Sequence, residues 1–234
     1  MTNAMMKKIS ASLLLCVVLV APAAAQTADP RLPPAKEAPP TAPVSLSELA
    51  ARADAVVLAQ ARDADYVYRR EFPVGGTAYL RVLIPYKLDP DTDIIEVYEE
   101  GLHEHECYFP NPTVFEEGRR YLLFLKRDPD KQGRYRGMPE GCALEVLVDE
   151  HNRYAVRLPI TGIDLTDPLE TRAQPMNFAD AYARETEESL SPDDRDAWLE
   201  AGWLRPTDDG YTYTRGLDLT TVRRLMGPAA LGRD

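Results

Sequence analysis

The most apolar stretch of the chain outside its N-terminus is residues 121–125, where five apolar or aromatic side chains follow one another. Arginines precede this run, two basic residues close it, and Gly118 stands just before it. A short continuous apolar run with such boundaries is typical of a strand that is buried on both faces. The sequence therefore predicts a central strand over residues 118–127.

Shorter patterns on either side predict more strands. They cover residues 55–61 with an extension toward Tyr68, and residues 79–88, 94–98, 143–148 and 153–159. Gly75 and Gly76 are expected to connect the first two strands. Pro85 indicates an edge or a bulge in the second, because proline has no backbone N–H to donate. The strand count predicts a mainly β fold of five or six strands, either a small closed barrel or a two-sheet sandwich.

Two regions favour helix. Ser45 and Glu48 have the spacing of a capping box, and the apolar positions that follow predict a short helix before the first strand. Beyond residue 159 the chain becomes polar and acidic, with helices expected over residues 177–190, from Ser191 to Gly202, and over residues 219–226 after Asp218. The last 75 residues are therefore interpreted as an α-rich extension, which packs on the barrel or forms a small subdomain.

The N-terminus has the pattern of an export signal. Lys7 and Lys8 precede a dozen mostly apolar residues, and Ala23 and Ala25 supply small side chains before a cleavage site at Gln26. The apolar run is short for a bilayer span, which needs about 20 residues, so a retained anchor is the alternative. We expect a periplasmic or secreted protein that has no membrane association after cleavage.

These patterns divide the chain into four segments. They are a signal peptide at 1–25, a proline-rich disordered linker at 26–44, a β-barrel at 45–159 and a helical C-terminal extension at 160–234. The six prolines between residues 30 and 43 favour extended, solvated backbone. The formal net charge of −11 argues against binding to nucleic acid, whose phosphates require a basic surface.

Two cysteines, Cys107 and Cys142, remain after removal of Cys16 with the signal. An even pair in an oxidising compartment predicts a disulfide. A metal site is the alternative, because His103 and His105 alternate with Cys107 and would project from one face of an extended segment. In that arrangement Cys142 or a glutamate completes the ligand set.

The chain offers little for catalysis. Its serines at 45, 47, 189 and 191 lie at expected helix ends, where capping accounts for them, and His151 lies in an expected turn. No glycine-rich phosphate loop or nucleophile elbow is present in the sequence. No catalytic or cofactor-binding residue is therefore assigned, and we expect a protein that is not an enzyme. The remaining aromatic residues either form the core or offer a ligand platform: Tyr79, Tyr86, Tyr98, Tyr108, Phe109 and Tyr121.

Three segments together resemble a known family. They are residues 53–61, then Cys107 with residues 118–124, and then a polar hairpin at 132–134 that leads into residues 141–144. This order is similar to the netrin-like modules of the tissue inhibitors of metalloproteinases, and to exported bacterial proteins of the same layout. The resemblance covers residues 45–150 and implies a five-stranded barrel of the oligonucleotide/oligosaccharide-binding (OB) type.

The resemblance does not imply protease inhibition. The family's inhibitors chelate the protease zinc through a mature N-terminal cysteine in a Cys-x-Cys start. Here the mature chain is expected to begin at Gln26, and its first cysteine is Cys107. The sequence favours an exported, monomeric interaction module that binds an unknown protein or extracellular ligand. The alternatives are a periplasmic metal-binding protein that uses residues 103–107, and an inhibitor-like protein without the N-terminal cysteine wedge.

Overall fold

The computed structural model of the chain describes residues 42–69, 72–99 and 115–231, which are mainly β. Three α-helices are present in these residues: α1 Leu46–Arg52, α2 Pro192–Glu200 and α3 Leu219–Met226. The strands of the same residues are β1 Ala55–Arg69, β2 Phe72–Lys87, β3 Ile94–Glu99, β4 Arg120–Arg127, β5 Arg134–Gly137, β6 Ala143–Val148, β7 Tyr154–Arg157, β8 Gln174–Pro175, β9 Arg184–Glu185, β10 Leu204–Thr207, β11 Gly210–Tyr213 and β12 Arg215–Asp218.

Five strands close into a barrel in the order β1-β2-β3-β5-β4, with β4 pairing back onto β1. All of these pairs are antiparallel except β3 with β5, which is parallel. The remaining strands β6, β7, β12 and β8 extend the same sheet outward from β4. The barrel, and not the sandwich, is therefore the architecture of the described residues between Ala55 and Gly137.

The predicted central strand is β4, which pairs with β1, β5 and β6 of this sheet. Every residue of β4 from Tyr121 to Leu125 is buried. Tyr121, Leu123 and Leu125 belong to the core inside the barrel, whereas Leu122 and Phe124 belong to a second core on its outer side. The prediction of a strand buried on both faces is confirmed, and it explains why the run is continuous and does not alternate.

Helices α1 and α3 cover the outer core. The predicted capping box is present, because the Ser45 side chain accepts from the Glu48 backbone N–H and the Glu48 carboxylate accepts from the Ser45 N–H. The other end of α1 is held by Lys87, whose Nζ donates to the carbonyls of Ala50, Ala51 and Ala53. Val222 and Met226 of α3 are buried in the same outer core. None of the helices in the described residues is long and apolar enough to cross a bilayer.

The predicted connection at Gly75 and Gly76 is wrong. Both glycines lie within β2, and Gly76 pairs with Tyr66 of β1. A Cβ on Gly76 would lie 2.6 Å from the Tyr66 Cα and 2.3 Å from the Asp65 carbonyl oxygen. The glycine is therefore required by a close approach of two strand backbones and not by a turn.

Pro85 lies as predicted where the ladder is irregular. The register between β1 and β2 shifts near its partner Val57. The opposite edge of β2 pairs with β3 only from Gly76 to Arg81. On that side the missing N–H of Pro85 therefore breaks no ladder hydrogen bond with β3. Proline in a sheet is usually found at such an edge.

The predicted helix over residues 177–190 is also wrong. The segment forms single 3₁₀ turns at Ala181–Ala183 and Glu187–Ser189, with β9 between them. The Asp180 carboxylate accepts from the Arg120 guanidinium and from the Val148 N–H, and these contacts hold the segment extended against the sheet. Tertiary hydrogen bonds outweigh a moderate helix propensity here.

Residues 160–231 are less helical than predicted. They contribute β8 and β12 to the large sheet and form a second sheet in the order β10-β11-β9 beside α2. Helices α2 and α3 have the predicted caps, Ser191 and Asp218, and α3 ends at Gly227. A small apolar cluster that includes Leu147 of β6, Leu204 and Tyr213 joins the second sheet to the first.

Candidate ligand-binding face

Five of the candidate site residues named from the sequence lie outside the described residues. These are His103, His105, Cys107, Tyr108 and Phe109. The pairing of Cys107 with Cys142 and the metal site at 103–107 therefore stay predictions. Cys142 itself is 1% exposed and lies just before β6, in the core inside the barrel.

The four described aromatic candidates separate into two pairs. Tyr121 is buried inside the barrel, and Tyr86 packs against the outer core. Tyr79 and Tyr98 are half-buried and alternate with buried interior residues, so they lie on the outer face of β2 and β3. Only these two of the described four are placed to meet a ligand on the barrel surface.

Tyr98 is the centre of a cluster of charged side chains. The guanidinium carbons of Arg134 and Arg136, both on β5, lie 4.1 Å and 5.2 Å from its ring centroid. Such distances are those of cation–π contacts. The parallel pairing of β3 with β5 creates this arrangement, because it sets Tyr98 directly opposite Arg136.

Asp128 fixes the two arginines. Its side chain is fully buried; Arg134 Nε donates to it, and Arg136 Nε lies 3.0 Å from Oδ1. Burial alone would raise the pKa of Asp128, but the Asp130 backbone N–H and the two arginines outweigh burial and lower it. The carboxylate is therefore ionised at neutral pH and holds both guanidinium groups above the Tyr98 ring. We call Tyr98, Asp128, Arg134 and Arg136 the arginine–tyrosine cluster.

The turn between β4 and β5 continues this surface into a cavity. The turn is closed by the Asp128 N–H, which donates to the Arg134 carbonyl. A cavity of about 500 Å³ opens beside it, lined by Arg127, Gln132, Gly133, Arg134 and Tyr135 among others. A cavity of this volume is in the range of small-molecule sites. Arg134 belongs to both the cavity and the cluster, so the two features form one continuous surface.

A second group of charges is buried between the barrel and the C-terminal sheet. Glu145 of β6 lies 2.5 Å from Arg119 Nη1 and 2.6 Å from Arg157 Nε. The Arg157 guanidinium also stacks over the Tyr213 ring, and Tyr213 donates to Glu185. Burial opposes the ionisation of Glu145, but the two arginines outweigh it and lower the pKa. Because every member has a partner and little exposure, this network has a structural role.

Two other cavities in the described residues are smaller. One of about 310 Å³ lies beside α1 and includes Glu48, Arg52 and Glu140, and one of about 360 Å³ lies along residues 158–170. In the part of the chain that the structure describes, no group of three or more histidine, cysteine or acidic side chains is arranged to hold a metal ion. The arginine–tyrosine surface is the larger and more highly charged candidate.

Comparison with known proteins adds no assignment, since no family model matches the chain and no curated protein or solved structure is significantly similar to it.

Little in the sequence predicts this surface. Tyr98 was among the aromatic candidates, but Asp128, Arg134 and Arg136 were not. The available signal is the alternation of Arg134 and Arg136 after a glycine turn, which places two cations on one face of a strand. That signal is weak, because the segment contains no apolar run from which to predict a strand.

Proposed function

We propose that the chain is an exported, non-enzymatic binding module with an OB-type barrel, and that its ligand-binding surface is the arginine–tyrosine cluster with the adjoining turn cavity. The expectations of export and of a monomer come from the sequence.

The OB-type identity is supported by the strand order. A five-stranded barrel in the order β1-β2-β3-β5-β4, closed by β4 on β1 and antiparallel except between β3 and β5, has the connectivity of the OB fold. That fold binds ligands on the face of its second and third strands and with the loop between its fourth and fifth strands. In this chain the corresponding positions are the outer face with Tyr79 and Tyr98, and the turn at residues 128–133.

The observation that carries the binding proposal is the preorganisation of the cluster. Asp128 holds two guanidinium groups over one tyrosine ring, and Arg136 is also paired with Asp130 at 2.6 Å. A ligand that meets this surface does not have to immobilise flexible arginine side chains, which reduces the entropic cost of binding. Arginine and tyrosine are also the residues that most often dominate binding energies at protein surfaces.

The predicted disulfide belongs to the same proposal. Cys142 lies between β5 and β6, and its backbone carbonyl accepts from Phe124 of β4. A covalent bond from this buried position to Cys107 would tie the segment between β3 and β4 to the barrel. The metal-binding and inhibitor-like alternatives stay predictions, because the residues on which they depend lie outside the described ranges.

Screening of wild-type protein on arrays of glycans and peptides tests the binding proposal. We expect selective retention of one ligand class, with retention lost in Tyr98→Ala and kept in Tyr68→Ala. Tyr68 is a matched control because it is 55% exposed on the β1–β2 hairpin, away from β3 and β5. Melting curves of both variants establish that the fold is retained. Equal retention by wild type and Tyr98→Ala, or turnover of a retained ligand, would contradict the proposal.

A further inference from the structure

Arg127 is the last residue of β4 and one of the residues that line the turn cavity. It pairs with Tyr135 across the β4–β5 ladder, so the two side chains lie on the same face of the sheet. Its backbone N–H donates to Asp54, which fixes the position of the main chain. The side chain is exposed and lines the cavity.

The Arg127 guanidinium has no ion-pair or hydrogen-bond partner among residues 42–69, 72–99 and 115–231. This differs from the neighbouring cations, because Arg134, Arg136 and Lys131 each have an acidic partner. An arginine presents its donors as a planar fork that matches a carboxylate in a bidentate contact. The cavity lining thus includes a cation that no acidic side chain of the described residues neutralises.

The cavity is positive in a chain that is strongly acidic. Arg127 and Arg134 line it together with a single acid, Asp128, whose charge is already compensated by Arg134 and Arg136. The whole chain has a net charge of −11. An anionic ligand is therefore attracted to this cavity while most of the surface repels it.

The rest of the lining favours a small polar ligand. The exposed Gln132 side chain offers a donor and an acceptor. Tyr135, which is partly buried against the core inside the barrel, also belongs to the lining. Gly133 has φ +81°, and the space where a side chain would project from it is empty, so the turn backbone is open to a ligand. Arg134 donates to Asp128 through Nε, and its two η nitrogens make no hydrogen bond within the described residues.

We infer that the turn cavity binds a sugar acid, whose carboxylate pairs with Arg127 while the hydroxyl groups of its ring meet Gln132, Arg134 and the Tyr135 side chain. The inference rests on the proposed function, since it names the ligand class for part of the same surface. It requires one carboxylate, a ring of about monosaccharide size and several hydroxyl groups.

Titration of ¹⁵N-labelled protein with D-glucuronate tests the inference, with D-glucose as the neutral analogue and an N-acetylated tetraglutamate peptide as an acidic chain without a sugar ring. We expect saturable shifts of the Gly133 and Arg134 amides with glucuronate, and at least tenfold weaker binding of both other probes. Arg127→Gln should weaken glucuronate binding at least tenfold. Arg127→Lys should fall between, because it keeps the charge and loses the bidentate fork.

Arg205→Gln is the matched control. Arg205 is an exposed arginine of β10 for which the described residues provide no ion-pair partner, and its replacement changes the net charge by the same amount. Its glucuronate affinity should equal that of wild type. Both arginines are exposed, and the amide spectra establish that each variant is folded.

Three results would overturn the inference: no saturable shift with glucuronate, equal binding by wild type and Arg127→Gln, or tighter binding of the peptide or of glucose. If any of these occurs while Tyr98→Ala still abolishes retention on the arrays, the binding module stands and the sugar-acid assignment fails. If Tyr98→Ala changes nothing on the arrays, the proposed function fails by its own test.

Discussion

At the scale of single residues, the buried carboxylates determine which side chains are held in place. Asp128, Glu145 and Asp149 are each surrounded by donors: Asp128 and Glu145 by two arginines each, and Asp149 by Arg153 and the backbone N–H groups of its own turn. Burial alone would raise their pKa values, yet in all three the donors outweigh it and the pKa is lowered. Each carboxylate therefore stabilises the fold only while it is ionised.

The first prediction concerns pH. A carboxylate whose pKa is lower in the folded than in the unfolded chain contributes stability that is fully present above the unfolded pKa, here 3.8 for Asp and 4.5 for Glu. That stability is lost as the pH falls through the folded pKa. We expect the free energy of unfolding by urea to be nearly constant from about pH 7 to about pH 5 and to decrease steadily below about pH 4.

Asp128→Asn provides the control for this prediction. The amide cannot ionise, so the variant should be less stable than wild type at pH 7. Its free energy of unfolding should also change less than that of wild type between pH 5 and pH 3, values that lie about one unit above and below the ordinary carboxylate pKa. A wild-type chain that becomes more stable as the pH falls in this range would contradict the role assigned to these carboxylates.

At this scale the sequence predicted the caps but not the cluster. Ser45, Ser191 and Asp218 were assigned correctly, because an N-cap depends on residues three positions away in the chain. The contacts of Tyr98 with Arg134 and Arg136 depend on a parallel pairing between segments more than 30 residues apart. No local pattern contains that information.

At the scale of elements, α1 and β2 stabilise each other through one lysine. Lys87 Nζ donates to three carbonyls at the end of α1, at 3.2, 3.2 and 2.6 Å. The last carbonyls of a helix have no partners inside the helix, and a cation there also interacts favourably with the helix dipole. A helix of seven residues depends on such contacts because it is too short to be stable alone.

The second prediction is that Lys87→Met destabilises the fold by about 2 kcal/mol, which is typical for loss of hydrogen bonds from a charged group to partly buried acceptors. Lys126→Met is the matched control. Lys126 lies 3.4 Å from Asp54 with both side chains exposed, so its loss should cost about 0.5 kcal/mol or less. Urea unfolding of the two variants measures both values. Equal losses would show that the lysine contacts do not stabilise the end of α1.

The elements also differ in how well the sequence predicted them. Strand β4 was predicted because it is buried on both faces and so reads as one apolar run. Strand β5 was missed, since its sequence Arg-Tyr-Arg-Gly has no apolar run and two of its side chains face the surface. The polar strand nevertheless joins β3 to β4 within the barrel and carries two arginines of the candidate site.

At the scale of the whole molecule, the strand β4 lies between the core inside the barrel and the outer core. Strand β4 pairs with β1 along one edge and with both β5 and β6 along the other. The barrel interior and the layer beneath α1 and α3 lie on its two faces. The short strands of residues 160–231 then add to the same sheet and to the smaller second one. The arginine–tyrosine cluster lies on the outer face of β3 and β5, two strands that contribute no residue to that outer core.

The third prediction is that the two cysteines are oxidised in the exported protein. If the chain is exported, Cys107 and Cys142 should form a disulfide, and mature protein unfolded without reductant should show no free thiol. Closing a loop of about 35 residues contributes roughly 3–4 kcal/mol, so the Cys107→Ser, Cys142→Ser double variant should fold with reduced stability.

His103→Ala and His105→Ala should change stability by less than about 0.5 kcal/mol. Two free thiols with stoichiometric zinc, lost in the histidine variants, would contradict the disulfide and favour the metal-binding alternative.

If the outer face of β3 and β5 is the recognition surface, a bound ligand should perturb the amides of these strands. A map of amide chemical-shift changes shows this, when ¹⁵N-labelled protein is titrated with the ligand that wild-type protein retains on the arrays. We expect the largest changes at residues 96–98 and 127–136, and we expect them to disappear in Tyr98→Ala. Changes concentrated instead on the β1–β2 hairpin, where Val67 and Tyr68 are 63% and 55% exposed, or spread over the acidic C-terminal sheet, would contradict it.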